Sequence, residues 1–164
     1  MVIATDRFRS SILDSKTGCL TSGGFKLILA REVAVAQRYG YYFTLLLIRL
    51  PHEKGKTCSH KAIELVVRKV RRSDCVAHLG DQTVGVILQH SSAGVAQKVI
   101  RRLRSEGLSA FSERVSFTSV VYPTEANTAA ALQALAVKRL KAAASPFRPL
   151  NEAIVQAPPS FRVG

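Results

Sequence analysis

Three side chains in this sequence have the chemistry to hold a planar, phosphate-bearing ligand: Arg71, Asp74 and Arg102. A guanidinium group offers a flat, bidentate set of donors that matches a phosphate or the O6/N7 edge of guanine. A carboxylate adds the acceptor that guanine N1–H and N2–H require. Arg71 and Asp74 lie three apart where a basic helix gives way to a strand, so both can reach one exposed corner. Arg102 follows, with Arg104, on a later helix that crosses back over the sheet. The same residues also suit a solvated basic helix end carrying an Arg–Asp pair, and spacing alone leaves both readings open.

Other chemistry finds little support. Cys58-Ser59-His60, with His52 nearby, is the densest cluster of metal-ligating types, but it lacks the paired spacing of a structural zinc site. Gly23-Gly24 is not a phosphate-cradling loop. A two-metal phosphoryl-transfer centre needs acidic ligands. None ends the apolar strand at Tyr42–Leu50, where Arg49 and Pro51 occur instead. No cofactor and no metal are expected.

The charge balance fits an anionic partner. There are 24 Lys+Arg against 11 Asp+Glu, a net charge of +13, and the isoelectric point is near 10.3. Such a field attracts phosphate in a nucleotide, a nucleic acid or a lipid surface without choosing among them. At 164 residues, 47% of them hydrophobic, the chain suits one folded domain. Its three cysteines show no framework spacing, so reduced thiols are expected. With no basic-then-apolar leader and no membrane-length apolar run, the expected location is the cytoplasm.

The elements that would position the arginines follow from periodicity. Thr21 or Ser22 can cap a helix with Phe25, Leu27, Ile28, Leu29, Val33 and Ala36 on its apolar face, ending near Gly40. The run at Tyr42–Leu50 predicts a strand buried on both faces. Ile63, Val66, Val67 and Val70 predict a helix from His60 to Arg72. A hairpin over Asp74–Leu79 and Gln82–Gln89 turns at a two-residue Gly80-Asp81 tip. A helix at Ser91–Arg104, a strand at Arg114–Tyr122, a helix capped by Asn127 and an edge strand at Ala153–Gln156 complete the order. Alternation of this kind predicts an α/β or α+β fold with helices around a mixed five-stranded sheet.

The order and spacing of several motifs resemble the diguanylate cyclase, or GGDEF, family. Asp14-Ser15-Lys16-Thr17-Gly18-Cys19-Leu20-Thr21 is similar to the family's D-x-L-T-G-L-x-N. Arg38-Tyr39-Gly40 and the strand Leu45–Ile48 resemble its R-Y-G and the strand ending in D-x-D. His78 to Val84 stands where R-Y-G-G-[DE]-E-F is expected. Arg114 to Ser119 resembles a later family strand, and Leu140 fits a terminal helix motif weakly. The resemblance covers residues 14–157, leaving an arm at 1–13 and a tail at 158–164.

The resemblance implies a nucleotidyl cyclase-like fold but not the activity. The family's catalytic, metal-binding glutamate is Thr83 here, its strand aspartate is Arg49, its second acidic position is Pro51, and its guanine-contacting asparagine is Thr21. A degenerate, catalytically inactive domain is the expectation. The family's inhibitory R-x-x-D site, by contrast, falls on Arg71 and Asp74, six residues before Gly80, with its third ligand at Arg102. The resemblance therefore implies a cyclic di-GMP receptor in bacterial-type signalling, with the ligand commonly a stacked dimer and a homodimer as one outcome. A ligand-independent scaffold that docks an acidic protein partner through its basic face is the alternative. Nucleic-acid binding comes third, because exposed stacking aromatics are scarce.

Overall fold

The computed structural model describes residues 12–15, 17–50, 60–80, 82–108 and 115–143. Its frame is strand β1 (Phe43–Arg49), buried through Ile48 and flanked on both sides by other strands. β2 (Cys75–His78) and β3 (Thr83–Leu88) form the hairpin, and β4 (Ser116–Tyr122) follows. The strand order is β2-β3-β1-β4, with every neighbouring pair antiparallel. Among the described residues four α-helices accompany the sheet: α1 (Ser22–Tyr39), α2 (His60–Lys69), α3 (Ala93–Leu103) and α4 (Ala129–Ala143).

Strand periodicity assigns the two faces. Leu46, Ile48, Val84, Val86 and Leu88 face α2 and α3, where Ile63, Val66, Ile100 and Leu103 complete one core. Phe43, Leu45, Leu47, Ile87 and Val120 face the other way, onto Phe25 and Leu29 of α1 and Leu132 and Ala136 of α4. The sheet is therefore the middle layer of a sandwich, which explains why β1 and β3 read as unbroken apolar runs.

The sheet differs from the mixed, five-stranded expectation. β1 and β2 run in the same direction with β3 between them, and β3 and β4 do so with β1 between them. Each helical crossover thus links strands that are not neighbours. Among the described residues the four strands therefore pair without a parallel ladder, and parallel pairing is confined to an isolated bridge from Leu20 to Ala77 at the β2 edge. The expected edge strand at Ala153–Gln156, together with Asp81, Arg114 and Cys58, lies outside those residues. The α+β class stands.

Local chemistry sets the element ends. Thr21 Oγ1 accepts the Gly24 N–H at 3.1 Å and starts α1, while Gly40 stops it in the left-handed region at φ +68°. Leu27, expected on the apolar face, is instead 63% exposed, and Glu32 is buried on the inner face. α2 stops at Lys69, short of Arg72. The Asp74 carboxylate takes the Arg71 N–H at 2.8 Å, and Asp74 N–H donates to the Arg71 carbonyl at 3.0 Å. Arg71 therefore sits in a turn and not on a helix. Val67 is 44% exposed, one residue round the helix from buried Val66.

The hairpin tip also departs from a two-residue turn. Leu79 N–H donates to the Thr83 carbonyl at 2.8 Å, so the hairpin closes at Leu79 and Thr83 and not at a two-residue tip. Gly80 and Gln82 both take positive φ, +84° and +58°. α4 is capped by Thr128, not Asn127: its Oγ1 accepts the Ala131 N–H at 3.1 Å.

Candidate ligand-binding site

The α2–β2 turn and α3 face one another across a cleft of about 230 Å³, lined by Arg71, Asp74, Gln89, Ser91, Lys98 and Arg102 over an apolar floor. All three residues singled out from the sequence, Arg71, Asp74 and Arg102, meet here. Leu88, Val95 and Val99 supply the floor. The cleft is smaller than the ~300–1,000 Å³ of pockets that engulf a drug-sized ligand. It suits part of a larger ligand, such as one base or one phosphate.

Asp74 is the hub of the turn. Its Oδ2 accepts the Arg71 N–H at 2.8 Å and its Oδ1 accepts the Gln89 N–H at 3.1 Å, which ties the turn to the end of β3. An ionised carboxylate has about four acceptor sites, so these two bonds leave capacity for a ligand donor. Arg102 reaches from α3 to the C-terminal end of α2, where its Nη2 donates to the Lys69 carbonyl. A cation at that end meets carbonyls the helix leaves unsatisfied. Lys69 is in turn paired with Glu106.

Behind the cleft lies a network that spacing gave no means of finding. Glu32 on α1 is 2% exposed, and its carboxylate accepts the Tyr41 hydroxyl at 2.8 Å and the Gln89 side-chain amide at 3.0 Å. Burial, followed by the hydrogen bond to Glu32 and its charge, pushes the Tyr41 hydroxyl up to about 12. Burial, followed by the charges of Glu32 and Asp74, likewise raises the neighbouring Cys75 thiol. A glutamate amid polar α1 residues carries no sequence signal for this role; only the fold brings residue 89 back to it.

A second group of positions sits at the other end of the sheet. Arg49 and Thr83, where the resemblance calls for magnesium ligands, are direct partners in the β1–β3 register. Arg49 is half-buried, with its Nε enclosed and without a hydrogen-bond partner among the described residues, and Thr83 is buried. Magnesium favours carboxylate and other oxygen ligands. A fixed cation beside a hydroxyl does not suit it. Pro51 lies outside the described residues.

No family model matches this chain, and neither does any curated protein. Solved structures do. The GGDEF domain of TpbB (YfiN) from Pseudomonas aeruginosa superposes with a TM-score of 0.69 at 24% identity, covering 83% of this chain and 90% of that one. The fold is that of a GGDEF domain. The FimX GGDEF domain from the same organism gives a TM-score of 0.69 at 18% identity, over 82% of this chain and 94% of its own. The GGDEF domain of DgcB from Caulobacter crescentus, solved in complex with c-di-GMP, gives 0.64 at 19%, over 80% and 86%. No helix among the described residues of this GGDEF fold is long and apolar enough to cross a membrane.

Proposed function

We propose that this protein is a catalytically inactive GGDEF-fold domain that binds cyclic di-GMP through Arg71, Asp74 and Arg102 and acts as a signalling effector. The observation that carries the reading is their convergence on one cleft with an apolar floor. The arginines would take phosphate and the guanine edge, and the free acceptor capacity of Asp74 would take guanine N–H groups. The cleft's modest volume fits a ligand of which only one portion is enclosed. A relative of the same fold, DgcB, is described in complex with this nucleotide.

The inactive half of the proposal draws on Arg49 and Thr83, a cross-strand pair with no carboxylate to offer a metal ion. Isothermal titration of the full chain with cyclic di-GMP tests the binding half. Saturable heat at micromolar or tighter affinity, lost in Arg71→Ala, is the expected result. Flat heats for the unaltered protein would end the receptor reading. If random oligonucleotides instead bind more tightly and release steeply with salt, nucleic acid is the partner.

A further inference from the structure

Resting on the cyclic di-GMP reading above, we infer that Lys98 is a further phosphate-binding residue of the cleft, acting beside Arg71. Helix α3 lines the cleft with Val95, Lys98, Val99 and Arg102. Their i, i+3, i+4, i+7 spacing is one face of a helix. The two valines form one i, i+4 row of that face, and the two cations form the row beside it. A flat base can rest on the valines while a charged group meets the neighbouring cations.

The partners already taken by the lining side chains decide which groups are open to a ligand. Arg102 gives one N–H to the Lys69 carbonyl. Each oxygen of Asp74 holds a backbone N–H. The Gln89 amide nitrogen is given to Glu32, and the Ser91 hydroxyl to the Leu88 carbonyl at 2.6 Å. The Arg71 and Lys98 side chains have neither a hydrogen bond nor an ion pair among the described residues. A phosphate arriving at these two exposed cations displaces water but no protein partner, so the net charge-assisted bond counts toward affinity. An ammonium is a compact charge with three rotatable donors and no planar fork. It therefore suits a phosphate oxygen as a point charge.

The opposing view is that Lys98 only adds to the general positive field of a chain with net charge +13. Arg101 separates the two. It is an exposed cation on the same helix that does not line the cleft. Titrations with cyclic di-GMP at several salt concentrations should compare the unaltered protein with Lys98→Ala, Lys98→Arg, Arg101→Ala and Arg71→Ala. Lys98→Ala is expected to weaken binding by about 10- to 100-fold, the size of one charge-assisted hydrogen bond. It should also flatten the fall of affinity with salt. Lys98→Arg should restore most of the affinity, and Arg101→Ala should leave it within about threefold, since a screened charge outside the site contributes little. Equal effects of Lys98→Ala and Arg101→Ala would reduce Lys98 to a field effect and overturn the inference. Unaltered affinity in Lys98→Ala with binding lost in Arg71→Ala would overturn it too, leaving the receptor reading intact. Flat heats for the unaltered protein would remove both.

Discussion

Gln89 donates its side-chain amide to the buried carboxylate of Glu32 at 3.0 Å, and this contact joins residues 57 apart in the chain. The same residue's backbone N–H holds Asp74 at 3.1 Å. Gln89 is thus a rivet between the α1 layer and the α2–β2 turn that forms one wall of the cleft. Order in that wall depends on a carboxylate on the opposite face of the sheet.

Removing Glu32 should therefore be felt in stability. Glu32→Ala leaves the Tyr41 hydroxyl and the Gln89 amide without their acceptor, at a cost of about 1–3 kcal/mol for each group left unsatisfied. Glu32→Gln keeps one carbonyl acceptor and should lose less. Urea unfolding curves rank the three proteins, and Glu32→Ala as stable as the parent would remove the network from the energetics.

The same network sets a stability limit in alkali. The Tyr41 hydroxyl sits above its ordinary value of 10.0, at about 12, because burial and then Glu32 disfavour the phenolate. A group whose value is raised on folding contributes stability that is fully present below the unfolded value and is lost as pH rises through the folded one. The Tyr41 contribution should hold up to about pH 10 and fade between about 10 and 12. Tyr41→Phe should abolish that fade in denaturation measured across the range. In ultraviolet titration, Glu32→Gln should bring one tyrosine back toward 10.

Asp74 and Arg71 should separate structure from recognition. Asp74→Ala deletes two hydrogen bonds to backbone N–H groups, so it should lower stability by about 1–3 kcal/mol as well as weaken nucleotide binding. Arg71→Ala leaves the backbone bond to Asp74 in place, because that bond uses the residue's own N–H. Its midpoint should stay within about 0.5 kcal/mol of the parent, as for an ordinary surface change, while binding is lost. A large loss of stability in Arg71→Ala would show that the side chain serves the fold.

Much of this was legible along the chain because the signals are local. Thr21 and Gly40 bracket α1 by capping chemistry, and the apolar run of β1 announces a strand covered on both faces. Arg71, Asp74 and Arg102 could be named because their residue types suit a nucleotide and the family resemblance places a site on them; their spacing alone fits a solvated helix end as well. What could not be read depends on contacts made in space. Asp74 draws back the Arg71 N–H and shortens α2, a competition that helix periodicity does not register. Glu32 looks like one more polar residue of α1 until the hairpin brings Gln89 to it. Lys98 resembles any solvent-facing lysine until the cleft is assembled around it.

Arg49 and Thr83 carry the last prediction. Directly paired residues on antiparallel strands have Cβ atoms about 4.5–5.5 Å apart, close enough to share one cation if both were carboxylates. As they stand, one is a cation and the other a hydroxyl. Millimolar magnesium should therefore leave the melting temperature unchanged, and incubation with GTP and magnesium should yield no cyclic product. Arg49→Asp combined with Thr83→Glu puts two like charges side by side on paired strands and should destabilise the metal-free protein. Magnesium should then restore stability as the logarithm of its concentration, since only the folded state holds both ligands together. A magnesium-dependent rise in the unaltered protein, or any turnover of GTP, would show that other ligands complete a metal site and would end the inactive reading.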